Sequence, residues 1–402
     1  MNDNTVPAGS TVTLNSVEGD LEVGKHATIK GGKIAVSGTV YCEGQCTFEG
    51  SLSADSLEGE DDITINGDLE VADRVSVEDG LLTVLGNLKA ERVEVDRGLR
   101  VGKNFEAKEV DVGGSLKVEG NTTAEEIDVG GTFEADGTVK AETIEAGGSA
   151  VVKSKVDVRN IDVGGSVRVN GGKVGKVDVG GSFHSTDSLE FESIDVGGAV
   201  RLTGDKNIGG DIDVGGACKI DGNLKFSTLD VGGVIDISGN GEGEDIDVGG
   251  RINVGGELHL SGELDVGGRA EIGEKLTSKE IDVGGSLKAR QIMVAGEVEV
   301  GGSIETVEGT TAESVRIGRR GEVKGPIHAK EVMVGERACV EDVYADRIVL
   351  EEKAQARNLY GKSIHLEYKS EVSGEVQYTE NLKTEEGVHF VKQPKKVDHV
   401  PQ

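Results

Sequence analysis

Two stretches carry the pattern that decides the fold: Val110-Asp111-Val112-Gly113-Gly114-Ser115-Leu116-Lys117-Val118 and Ile127-Asp128-Val129-Gly130-Gly131-Thr132-Phe133-Glu134-Ala135. In each, an acid stands between two aliphatic residues and a Gly-Gly pair follows. Apolar residues then return at every second position. This period-2 alternation marks a strand with one buried face. The string Asp-Val-Gly-Gly occurs ten times, beginning at Asp111, Asp128, Asp162, Asp178, Asp195, Asp213, Asp230, Asp247, Asp265 and Asp282. Neighbouring copies lie 16 to 18 residues apart, except for one gap of 34 that hides a degenerate copy at Glu145-Ala146-Gly147-Gly148. With Glu299-Val300-Gly301-Gly302 there are twelve repeats from residue 111 onward.

Counting from the acid, the residue before it is aliphatic in every repeat, and the residue after it is Val in all but Ala146. Five positions on, the residue is always apolar, from Leu116 and Phe133 to Cys218 and Ile304. A third, looser pair follows, as in Val139 and Ala141, Val156 and Val158, or Leu258 and Leu260. Three short strands per 17 residues, with Gly at the corners, describe one coil of a three-faced β-helix. Identical positions in successive coils then stack ~4.8 Å apart. Gly fits the corner because it accepts positive φ or a tight backbone. β-branched strands broken by Gly argue against helix.

The period extends beyond the exact motif. Upstream it is visible at Val93-Glu94-Val95-Asp96 and Leu21-Glu22-Val23-Gly24, and downstream at Val332-Met333-Val334-Gly335 and Ile364-His365-Leu366. It fades near Tyr378. The expected organisation is an N-terminal tail at 1–11, a β-helix rod over 12–378 and a polar tail at 379–402. A break between rod segments, if present, is expected at Gly31-Gly32 or within 79–90. About 21 or 22 coils would make a rod about 100 Å long.

The chain has 402 residues, 43 Lys plus Arg against 74 Asp plus Glu, and a net charge of −31. That balance argues against nucleic acid, which needs a basic face. No apolar run approaches the roughly 18 residues that span a bilayer. The opening Met1-Asn2-Asp3-Asn4-Thr5-Val6-Pro7 lacks the basic and apolar segments of a signal peptide. Glycine is abundant at 63 residues but not at every third position, which excludes collagen.

Short Gly-punctuated repeats such as Ser16-Val17-Glu18-Gly19-Asp20-Leu21-Glu22-Val23-Gly24 and Val112-Gly113-Gly114-Ser115-Leu116 resemble the bactofilins, the polymer-forming cytoskeletal proteins. The Lys395-Lys396-Val397 segment with nearby Pro is loosely similar to tails of that family. The resemblance implies a right-handed β-helix that stacks end to end into filaments without nucleotide. It also implies a cytoplasmic place, with other cytoskeletal or membrane-associated proteins as partners. Two features depart from the family. This repeat array is several times longer, and the N-terminus lacks membrane-targeting character.

The sharpest chemical feature is the outward acid, repeated at Asp111, Asp128, Asp162, Asp178, Asp195, Asp213, Asp230, Asp247, Asp265 and Asp282. Stacking makes it a single-file ladder. Neighbours ~4.8 Å apart repel by about 0.9 kcal/mol in water before screening. Bound cations, a salty cytoplasm, or interleaved bases at Lys117, Arg168, Arg201, Lys219 and Lys288 could offset this. The plainer account is that Asp favours the turn into Gly-Gly and keeps the surface solvated. The nine-residue calcium β-roll unit is absent. Cys42 and Cys46 have a metal-like spacing but no second pair, Cys218 falls inward and Cys339 outward. His184, His259 and His365 form no pattern with a nucleophile, and no P-loop is present. Coils this short and uniform carry no catalytic loops, so no enzyme and no cofactor is expected. The expectation is a self-associating structural scaffold. Its rival is an acidic spacer or platform for cations or basic partners that does not polymerise.

Overall fold

The computed structural model describes residues 4–401. Among these residues every regular element is a strand, and all strand pairing is parallel to a partner about one coil away. The chain divides into two units, Met1–Gly198 and Ala199–Gln402. Each is a β-solenoid, and together they hold about 23 turns.

In the first unit one coil reads Glu109–Val112, Ser115–Val118 and Thr122–Thr123, one strand per face. The next coil stacks on it in register, with Val110 over Ile127, Leu116 over Phe133 and Thr122 over Val139. The second unit repeats the scheme, with Leu229 beside Ile246, Ile235 beside Ile252 and Gly241 beside Leu258. The inward residues form narrow apolar columns. Val112, Val118, Ile127 and Val129 are all 0% exposed. Aliphatic side chains dominate because each column step must fit one strand spacing.

Of the two causes expected for the Gly-Gly corner, the tight backbone applies and positive φ does not. Gly113, Gly114, Gly130 and Gly131 are not in the left-handed region. A Cβ on Gly130 would sit 2.3 Å from the Gly113 carbonyl oxygen, and one on Gly131 would sit 2.5 Å from that of Gly114. Close approach of stacked corners therefore demands glycine in the coils that carry the Gly-Gly pair. Where the pair is lost near the C-terminus, the corner becomes a turn with a left-handed basic residue. Arg320, Arg337, Lys353 and Lys369 have φ of 59°, 58°, 60° and 56°.

Pairing runs past the expected boundaries. Thr5 and Val6 pair with Glu22 and Val23, inside the segment expected as a tail at 1–11. His389–Phe390 pairs with Glu371–Val372, and Lys395–Lys396 with Gln377–Tyr378, inside 379–402. An outer coil has a neighbour on one side only, so its apolar alternation weakens although its backbone still pairs. Residues 1–3 and 402 of those tails lie outside the described residues. The stretch 79–90 is paired on both sides, with Leu82 between Ile63 and Leu99 and Leu88 between Leu69 and Phe105. Beside Gly31-Gly32, Ile34 pairs onward with Leu52 and Lys33 with Ser51.

Candidate functional site

The first face carries the acidic ladder. In the first unit Glu94, Asp111, Asp128, Glu145, Asp162, Asp178 and Asp195 follow one another in register. In the second unit Asp213, Asp230, Asp247, Asp265, Asp282 and Glu299 do the same, and Arg316 closes the run. All ten aspartates named from the sequence are exposed. Alternation places them there, since the aliphatic neighbours on either side turn inward.

The ladder is electrostatically strained. Partial burial, and then the charges of Asp128, Glu94 and Asp96, push the Asp111 carboxyl above its ordinary range. Burial, Asp247 and Asp282 do the same to Asp265. Bases reach the ladder at its ends. Arg92 lies 3.9 Å from Glu94, and Arg316 lies 3.4 Å from Glu299. The bases expected to interleave with the ladder serve their own face instead. Lys117 pairs with Glu134 at 3.2 Å, Arg201 with Asp221 at 2.6 Å and Lys288 with Glu305 at 3.0 Å. Lys219 also reaches Asp221, at 3.7 Å. For Arg168 the structure gives only its place, in register with Val151 and His184. Among the described residues no group of three or more acidic, His or Cys side chains converges as a metal site. One carboxylate per coil in single file does not build the six to eight oxygen ligands a calcium ion takes.

The third face carries a groove. In the first unit its floor is a column of small residues, including Ala90, Ala107, Ala124 and Ala141, each 7–8% exposed. Its walls are the outward residues on either side. Lys89 and Glu106 pair at 2.7 Å on one wall, and Glu91 and Lys108 pair at 2.7 Å on the other. One stretch of about 730 Å³ runs from Lys33 to Glu125. A second of about 590 Å³ runs from Thr123 to Glu192. They meet at Thr123, Ala124 and Glu125.

In the second unit the same face presents three stacked rings. His328 lies over Tyr344 at 4.6 Å and Tyr344 over Tyr360 at 4.9 Å, with interplanar angles of 7° and 16°. Beside them is a groove of about 690 Å³. One of its walls is the chain's own segment Asp398–Pro401.

The remaining candidates are placed singly. Cys42 and Cys46 are buried and face each other across one corner. The hydrogen bond between them, with burial, raises the Cys42 thiol, and the same bond lowers that of Cys46. Cys218 is buried in its column and pushed up to about 12 by desolvation, and Cys339 is exposed. His184, His259 and His365 lie on three different strands.

Sequence reasoning passed over an amide ladder at the corner before the third face. The Asn87 side chain accepts the Asn104 backbone N–H at 3.2 Å, Asn104 accepts that of Asn121 at 3.1 Å, and Asn121 that of Thr138 at 3.0 Å. It also passed over the alanine floor and the ring stack. The signal was present as Asn87, Asn104 and Asn121, and as Ala90, Ala107, Ala124 and Ala141, each series at a spacing of 17. Compared with family models, with curated proteins and with solved structures, the chain gives no match.

Proposed function

We propose that this chain is a bactofilin-like structural subunit that stacks end to end with copies of itself, without nucleotide, and serves as a scaffold for cell shape or for positioning other proteins. The observation that carries this reading is the state of the core at the outermost described coils. Ile364 and Val372 are 1% and 0% exposed. One coil further, their register partners Leu382 and Phe390 are only half-buried. At the other end Val12 is half-buried while its partner Ile29 is 0% exposed. Such a coil offers a backbone edge and an apolar rim, which together template another coil. Head-to-tail contact of this kind does not close and yields a filament.

Free Cys42, Cys46 and Cys218, all buried, suit a reducing compartment, and we place the protein in the cytoplasm. Membrane association would come through partners. No described helix is long and apolar enough to cross a membrane.

The test is pelleting of the full chain at rising concentration without nucleotide. Wild type is expected to pellet, and a Leu382→Lys/Phe390→Asp variant to stay in the supernatant with its strand content intact. Wild type that never pellets, or a variant that pellets equally, would overturn the reading. A second reading rests on Pro394, Lys395 and Lys396 at the outermost strand, because Pro and Lys are the residues that blunt a sheet edge. It makes the protein a capped acidic spacer or a platform for cations or basic partners.

A further inference from the structure

The chain shows what its third-face groove accepts. In the second unit Asp398–Pro401 lies in one groove with His328, Tyr344, Tyr360 and Thr379, residues of four successive coils. The segment follows the strand Lys395–Lys396, which pairs with Gln377–Tyr378, and shares one groove with the stacked rings. Val397 and Val400 are half-buried, while Asp398, His399 and Pro401 are exposed. Val400 lines the groove together with Asp398, His399 and Pro401. Val397 anchors the segment by donating its N–H to the Tyr378 carbonyl at 2.9 Å.

The first unit has the same groove over a longer run, with a floor that passes from Ala90, Ala107, Ala124 and Ala141 to Val158, Val174 and Phe191. Its charge is not neutral. From Thr123 to Glu192 the lining holds five carboxylates against Lys140, Arg159 and Lys173. Arg159 is already 3.5 Å from Glu142, and Lys173 is 2.9 Å from Glu190. Among the described residues no ion pair engages Glu125 or Glu192, which leaves both to meet a cation. The C-terminal segment has the complementary sign, with Lys392, Lys395 and Lys396 against Asp398.

We propose that the third-face groove of the first unit is a track for an extended basic peptide, and that its occupant is the segment Lys392–Pro401 of a second copy of the chain. The segment would lie along the floor from Ala124 to Phe191 with Val397 and Val400 inward. Its lysines would meet Glu125 and Glu192 on the wall. The segment would first leave its own unit, where Lys395–Lys396 pairs with Gln377–Tyr378 and Lys392 lies 3.6 Å from Glu375; the contact then joins copies side to side, beyond end-to-end stacking.

The experiment uses the full chain and a fluorescent synthetic peptide of residues 392–402, followed by anisotropy at low salt. Wild type is expected to bind saturably. Glu125→Lys/Glu192→Lys is expected to weaken binding about fivefold or more. Asp128→Lys/Asp178→Lys makes the same charge change on the first face of the same unit and should leave binding unchanged. A peptide carrying Lys395→Glu and Lys396→Glu should bind wild type as weakly as the groove variant binds the original peptide. That arm is independent of how any protein variant folds. Absence of saturable binding would overturn the proposal. So would equal weakening by the first-face variant, which would mean attraction to general acidity. Peptide binding with no pelleting would keep this inference and remove the end-to-end reading. Pelleting with no peptide binding would do the reverse.

Discussion

Two kinds of residue set the character of this molecule, the corner glycines and the ladder aspartates. The glycines answer to packing between coils. Gly130→Ala and Gly131→Ala each force a Cβ to within 2.5 Å of a backbone carbonyl that cannot move alone. Each should cost about 2 kcal/mol or more in urea unfolding. Gly32→Ala is the control, since a Cβ there meets nothing within 4 Å and should shift stability by less than about 0.5 kcal/mol. The aspartates answer to charge. Asp265 has a raised pKa, so the folded chain holds its proton more tightly than the unfolded chain. The ionised form therefore destabilises the fold at neutral pH, and that penalty fades as pH falls through the raised value. Asp265→Asn should gain about 0.5 to 1 kcal/mol at neutral pH, after screening. The gain should vanish at acid pH, where both side chains are neutral. Equal unfolding midpoints at neutral pH would refute the strain assigned to the ladder.

A coil holds its place through columns more than through its own turns. The amide ladder is the plainest case, because each Asn side chain caps a backbone N–H of the next coil. Asn104→Ala removes the partner of the Asn121 N–H and should cost about 1 kcal/mol. Hydrogen exchange at Asn121 should rise above that at Thr138, whose own partner remains. The fold was legible because alternation and spacing are properties of consecutive residues. Val110-Asp111-Val112 gives the strand, and the next copy at Ile127 gives the stack. The reason for Gly-Gly was not legible, since both a left-handed turn and a close approach call for glycine, and only stacked carbonyls tell them apart. The outermost coils were lost for a related reason. Leu382 and Phe390 take inward positions, but the residues around them are polar where no coil covers them. The acidic ladder was legible as a column. The direction its neighbouring bases take was not, because whether Lys117 turns to Glu134 or to Asp111 is a matter of side-chain reach across faces. The groove was marked only by alanine recurring every 17 residues, at Ala90, Ala107, Ala124 and Ala141, a signal that reads equally as a small core position.

For the whole molecule, a net charge of −31 and a single-file ladder of carboxylates make stability depend on salt. Raising NaCl from about 20 mM to about 0.5 M should raise the unfolding temperature, because exposed like charges are screened beyond a few ångströms. Each coil rests on its neighbours, so unfolding should begin where pairing is one-sided and spread inward. Exchange should be fastest at Thr5–Val6, His389–Phe390 and Lys395–Lys396. Those same strands are the ones the proposed assembly would cover. Negative-stain electron microscopy of the full chain without nucleotide tests the central claim most directly. The account predicts long filaments, lost in the Leu382→Lys/Phe390→Asp variant. Discrete particles of single-chain size at every concentration and salt would contradict it.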